Sequence, residues 1–99
     1  MARLSDVSYS FDFKEAAQLL FLLGNQGRYH ILSLLCANEM CVGAISDATG
    51  MTNSLVSHYL AQLRTARLVE FRRSSQTIYY RCVSEKVSTL VNATIKIQH

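Results

Sequence analysis

The stretch that decides the fold is TNSLVSHYLAQL, from Thr52 to Leu63. Val56, Tyr59, Leu60 and Leu63 recur at three- and four-residue spacing, which predicts a helix with one apolar stripe. Thr52, Asn53, Ser54, Ser57, His58 and Gln62 fall mostly off that stripe. A face that merely meets solvent is commonly charged. This one is small, polar and rich in hydrogen-bonding groups, and only His58 can carry charge. Such side chains suit base edges, which need donors and acceptors at close range. The helix is expected to read DNA.

Working outward, Val42 to Thr49 reads as a short helix ended by Gly50, and Thr52 stands where the next helix needs its N-cap. Two short helices around a glycine-containing turn are the sequence form of a helix-turn-helix. On the other side, Leu68 to Arg73 begins apolar and then alternates, Ser74-Ser75-Gln76 is a turn, and Thr77 to Val83 is rich in β-formers. This predicts a hairpin, and a hairpin behind a helix-turn-helix is a wing.

The flanks complete the expectation. Asp12 and Glu15 form a capping-box pattern for a helix over about Phe13 to Leu23, ended by Gly24. Its apolar residues cover nearly the whole circumference, so it should be buried on more than one side, as a dimer interface would require. Asn25 caps a second helix to about Cys36, with Tyr29, Ile31, Leu32, Leu34 and Leu35 supplying core. Met40-Cys41-Val42 is short and extended, a candidate lone strand. Ser84 caps a last helix to about Ile97, whose apolar face is Val87, Leu90, Val91, Thr94 and Ile95, extended by Ile97. The predicted class is mainly α with a small β-hairpin. Residues 1–11 are expected to be an N-terminal arm and 12–97 a single winged-helix domain for DNA binding and dimerisation.

Composition agrees. Ninety-nine residues allow one domain, and a chain this short often oligomerises for stability. With 49% apolar and only 17% charged residues, some apolar surface is expected to be buried against a second copy. The net charge of +3 is unevenly spread: Arg64, Arg67, Arg72, Arg73 and Arg81 cluster with a single acid, Glu70. Clustered Arg beside a polar helix suggests phosphate contact, against the plain alternative of a solvated basic face. No apolar run approaches the ~20 residues of a membrane span, and Ala16 to Leu23 is too short and too internal for a signal peptide. The odd count of three Cys does not suggest a secreted disulfide framework. A cytoplasmic protein without a membrane partner is expected. No Gly-rich phosphate loop or paired-carboxylate site is present, so an enzyme is not expected.

Four segments resemble the ArsR/SmtB family of winged-helix transcriptional repressors over about residues 12–97: LGNQGRYHILSLL (23–35), EMCVGAISDATGM (39–51), TNSLVSHYLAQLRTARLV (52–69) and RRSSQTIYYR (72–81). Gln26 stands where the family usually has Pro. The wording is nearest to non-metal members of the NolR and HlyU type. The resemblance implies a homodimer through the first and last helices, bound to an inverted-repeat operator on double-stranded DNA. Asn53, Ser54, Ser57 and His58 would face bases, with Thr52 as cap and phosphate neighbour. Gln62, Arg64, Arg72, Arg73, Gln76 and Arg81 complete the expected DNA-binding set.

The family's sensing sites are only partly matched. Its Cys-Val-Cys metal motif is here Cys41-Val42-Gly43. Its zinc site on the last helix is reduced to Glu85 and His99, beside a repelling Lys86. No metal site and no cofactor is expected. Cys36 and Cys41 remain, five residues apart across a turn, as a candidate thiol switch released by oxidation. Cys82, on the second wing strand, is expected to be structural. The alternatives are a metal held by the same pair, a trivalent metalloid held by the pair with Cys82, Cys36 as a small buried hydrophobe, or a regulator with no small-molecule effector.

Overall fold

The computed structural model describes residues 12–98, so the expected arm over 1–11 and the candidate ligand His99 lie outside the described residues. Helix α1 (Phe13–Leu23) starts at Asp12, whose side chain accepts from the Glu15 amide at 3.0 Å. The Glu15 carboxylate reaches across the fold and accepts from Lys86 Nζ at 2.7 Å. Helix α2 (Gln26–Ala37) is capped by Asn25, which accepts from the Arg28 amide at 2.9 Å. Helix α3 (Val42–Thr49) and helix α4 (Asn53–Thr65) follow. Strands β1 (Val69–Ser74) and β2 (Thr77–Cys82) pair antiparallel, Val69 opposite Cys82 and Ser74 opposite Thr77. Helix α5 (Glu85–Gln98) closes the chain, with Ser84 Oγ accepting from the Val87 amide at 3.2 Å.

The element order is that of a winged helix-turn-helix, as expected. The extended segment before α3 shrinks to one bridge: Met40 exchanges both backbone hydrogen bonds with Tyr80, at 3.0 and 2.9 Å. Cys41 already serves as N-cap of α3, so there is no length left for a longer strand.

One core joins the elements. Ile31, Leu32 and Leu35 from α2, Ile45 from α3, Val56, Leu60 and Leu63 from α4, Leu68 and Val69 at the hairpin and Val87 and Val91 from α5 are all buried. Only Leu19, Leu22 and Leu23 of α1 pack against this cluster, and no residue of α1 is fully buried. Phe13, Leu20 and Phe21 are exposed, the last at 74%, as are Ile95 and Ile97 of α5. In the single chain, the apolar circumference of α1 is covered on one side only. Tyr29 of α2 hydrogen-bonds Thr94 of α5 and ties the two helices together.

Candidate nucleic-acid interface

The turn between α3 and α4 is held by local bonds. Gly50 ends α3 in the left-handed conformation, at φ 78°, where a side chain would be strained. Its amide donates to Ser46 O at 2.9 Å. Thr49 Oγ1 donates to Ile45 O at 2.8 Å and accepts from the Met51 amide at 3.2 Å. Thr52 Oγ1 accepts from the Leu55 amide at 3.2 Å, satisfying one orphan donor of α4.

Val56, Leu60 and Leu63 then point α4 into the core. That leaves Asn53, Ser54, Leu55, Ser57 and His58 exposed along the opposite side of its first two turns. Leu55 was not foreseen as a surface residue: it is 38% exposed among the polar positions. Its place beside Asn53 and Ser54 was readable from helical geometry, but an apolar residue alone gives no surface signal. Helices α2 and α4 approach closely at Gly27, where a Cβ would lie 2.6 Å from Tyr59 Cε2.

Gln62 has a partner inside the fold. It is half-buried, and its Oε1 accepts from Arg28 Nη1 at 3.1 Å. Any contact of Gln62 Oε1 with DNA therefore competes with Arg28. Arg28 itself, only 7% exposed, was missed by sequence reading, because an Arg between Gly and Tyr carries no sign of burial.

The wing divides by strand alternation. Glu70, Arg72, Tyr79 and Arg81 share one face, and Phe71, Arg73, Ile78 and Tyr80 share the other. On the first face, Arg72 Nε donates to Glu39 Oε2 at 2.9 Å and its guanidinium lies 4.9 Å from the Tyr79 ring. Arg81 pairs with Glu70 through Nε at 3.1 Å and through Nη2. The hydrogen bond to Arg72 holds the Glu39 carboxyl below its ordinary value, and Glu39 and Glu70 push their arginine partners up. On the second face, Arg64 of α4 stacks over Phe71, with 4.2 Å from guanidinium carbon to ring centroid. This is the face turned toward α4. Arg73 lies on it, is exposed, and makes no ion pair among the described residues. Gln76 is exposed in the turn, beside Ser75 at φ 58°.

The three thiols are all free and partly buried. The Cys36 thiol is an electrostatic neighbour of Cys82 and, after burial, helps to push the Cys82 thiol up. Ser88 Oγ donates to Cys36 Sγ at 3.6 Å, and Cys82 Sγ donates to Ser84 O at 3.7 Å. Burial pushes the Cys82 thiol up. Cys41 is the N-cap of α3 and makes no side-chain capping bond. Among the described residues, no group of three or more His, Cys, Asp or Glu side chains is arranged to hold a metal ion, and no helix is long and apolar enough to cross a membrane.

Residues 25–70 match the family described as "Bacterial regulatory protein, arsR family". The nodulation protein NolR of Rhizobium meliloti is 39% identical over 82 residues, spanning 83% of this chain and 67% of that protein. The crystal structure of the transcriptional repressor BigR from Xylella fastidiosa superposes with a TM-score of 0.85 at 31% identity, covering 98% of this chain and 96% of that one. The solution structure of the homodimeric winged helix-turn-helix DNA-binding domain of Mb0332 from Mycobacterium bovis gives 0.76 at 35% identity, over 99% and 90% of the two chains.

Proposed function

This chain belongs to the arsR family of bacterial regulatory proteins, and from that premise we propose that it is a transcriptional repressor that binds DNA sequence-specifically as a homodimer. The observation that carries the reading is the exposed face of α4. Asn53, Ser54, Ser57 and His58 stand clear of the core on a helix whose opposite side is locked by Val56, Leu60 and Leu63. These four side chains read base edges, and Leu55 offers an apolar contact to a thymine methyl. Thr52 and the positive end of α4 meet a phosphate. Arg64 of α4, Arg73 on the α4-facing side of the wing and Gln76 in its turn add phosphate contacts. Arg72 and Arg81 join them only when drawn from Glu39 and Glu70. Phosphate contacts position the protein, and base contacts specify the sequence.

Two copies pair through α1 and α5. The exposed Leu20, Phe21, Ile95 and Ile97 support this, since an apolar area of that kind on a small chain favours burial. The symmetry of such a dimer calls for an inverted-repeat site, with one reading helix in each of two successive major grooves.

The test is selection of duplexes from a randomised pool by the wild-type protein, followed by fluorescence anisotropy across salt. Enrichment of an inverted repeat is expected. No enriched sequence, or binding without salt dependence, rejects the reading.

A second reading concerns release from DNA. The electrostatic contact between Cys36 and Cys82 favours a thiol switch on this pair, beside the Cys36–Cys41 pairing that their spacing suggests. A hydroperoxide would oxidise one thiolate to the sulfenic acid, releasing water or the alcohol. The second thiol would then attack that sulfur, forming the disulfide and releasing water. DNA affinity should fall with peroxide and recover with dithiothreitol in wild type and Cys41→Ser, and hold constant in Cys36→Ser and Cys82→Ser. Loss under peroxide in the Cys36→Ser, Cys82→Ser double variant rejects the switch. The same pair could take a trivalent metalloid instead, and unchanged affinity with arsenite removes that version.

A further inference from the structure

Arg28 is a buried cation that contacts no carboxylate among the described residues. Burying a guanidinium is costly unless its donors are satisfied. Here Nε donates to Leu22 O at 2.8 Å and Nη2 to Phe21 O at 3.2 Å. These carbonyls belong to the last turn of α1, where backbone acceptors lack helical partners and the helix dipole is negative. The third nitrogen, Nη1, donates to Gln62 Oε1 on α4 at 3.1 Å. The guanidinium carbon also lies 5.4 Å from the Phe21 ring and 5.6 Å from the Tyr59 ring. One cation therefore gathers two consecutive residues of α1 and two residues of α4 three apart. Tyr59 immediately follows the exposed pair Ser57 and His58.

Apart from Arg64 over Phe71 of the wing, the other ties on α4 named above are of another kind. Val56, Leu60 and Leu63 hold it by apolar burial, which is non-directional. Such packing holds the helix against the core but restrains rolling and sliding weakly. A planar fork with three fixed donors is directional. Phe21, at its other end, is 74% exposed on the apolar face of α1.

We propose that Arg28 is a positioning residue that sets the distance between the two reading helices of the dimer, by joining the end of α1 to Gln62 and Tyr59 of α4. This rests on the dimeric DNA-reading function proposed above. In such a dimer, α1 meets its counterpart at the two-fold axis, and each α4 lies outward from it. The α1-to-α4 geometry within one chain then fixes the span between the two half-sites. Arg28 touches no base, and its effect on specificity is read as spacing.

The experiment uses the inverted repeat enriched by wild-type protein, together with versions carrying one base pair more or fewer at the centre. One base pair moves a half-site by about 3.4 Å and turns it around the duplex axis. Wild type should lose affinity by about tenfold or more on either altered site. Gln62→Met keeps the side-chain length and the Arg28 bonds to α1 but removes the acceptor, so the penalty should shrink to about threefold or less. Gln62→Glu restores an acceptor and should restore the penalty, whatever its uniform effect on affinity. Arg28→Lys should behave like Gln62→Met if it folds, and Gln62→Met decides the matter if it does not. A wild-type spacing penalty in Gln62→Met overturns the proposal. So does an equal loss on all three spacings, which would make Gln62 a simple affinity contact. Failure of the wild-type protein to enrich any inverted repeat removes the repressor reading itself and this inference with it.

Discussion

Arg72 Nε lies 2.9 Å from Glu39 Oε2, so a wing arginine is bound to the loop just before the helix-turn-helix. Both side chains are exposed, and a surface pair of this kind is weak and screened by salt. Its consequence is competition: DNA must displace Glu39 to use Arg72. Glu39→Gln should therefore tighten binding to operator and random DNA alike. The salt slope should steepen by up to about one phosphate contact. An unchanged slope in anisotropy titrations would show that Arg72 never reaches the backbone.

The same pair sets a pH dependence. The Arg72 hydrogen bond lowers the Glu39 pKa from 4.5. A lowered carboxyl pKa means the pair stabilises the fold above that ordinary value, and that the contribution is lost as pH falls through the lower folded value. An NMR titration of the Glu39 side chain should show a midpoint below 4.5, returning toward it in Arg72→Ala.

Base reading and phosphate contact should separate by mutation. Ser57→Ala or His58→Ala should cost roughly 1–3 kcal/mol on the selected site and little on random DNA. Arg73→Ala should weaken both similarly and reduce the salt slope by about one. Equal losses on both DNAs for His58→Ala would remove its base-reading role.

The core makes a prediction independent of DNA. Ile45 of α3 is fully buried, and its side chain packs in the cluster that also holds Val56 and Leu60. Ile45→Ala should destabilise by roughly 2–5 kcal/mol, read as a lower urea midpoint. Thr52→Ala removes the cap on the Leu55 amide and should cost about 1 kcal/mol.

Cys82 should be a slow nucleophile at neutral pH, because burial raises its thiol pKa from 9.0 and the thiolate is the reacting form. In a Cys36→Ser, Cys41→Ser background, alkylation by iodoacetamide should lag behind free cysteine at neutral pH and should still be rising with pH at 9.0. A mass-spectrometric time course that matches free cysteine at pH 7.5 would contradict this burial.

What the chain determined by itself is what depends on neighbours a few residues away. The Val56-Leu60-Leu63 stripe, the Thr52, Asn25 and Ser84 caps, the Gly50 stop and the alternation from Val69 to Cys82 are local patterns. Each was legible because backbone geometry repeats every two or 3.6 residues. The polar face of α4 was legible for the same reason. The tertiary structure alone decided which polar side chains have partners. Gln62 meets Arg28 from another helix, Arg72 meets Glu39 from the loop before α3, and Cys36 on α2 influences Cys82 on the wing. Those choices follow from where the core brings distant segments together, and no spacing along the chain encodes them.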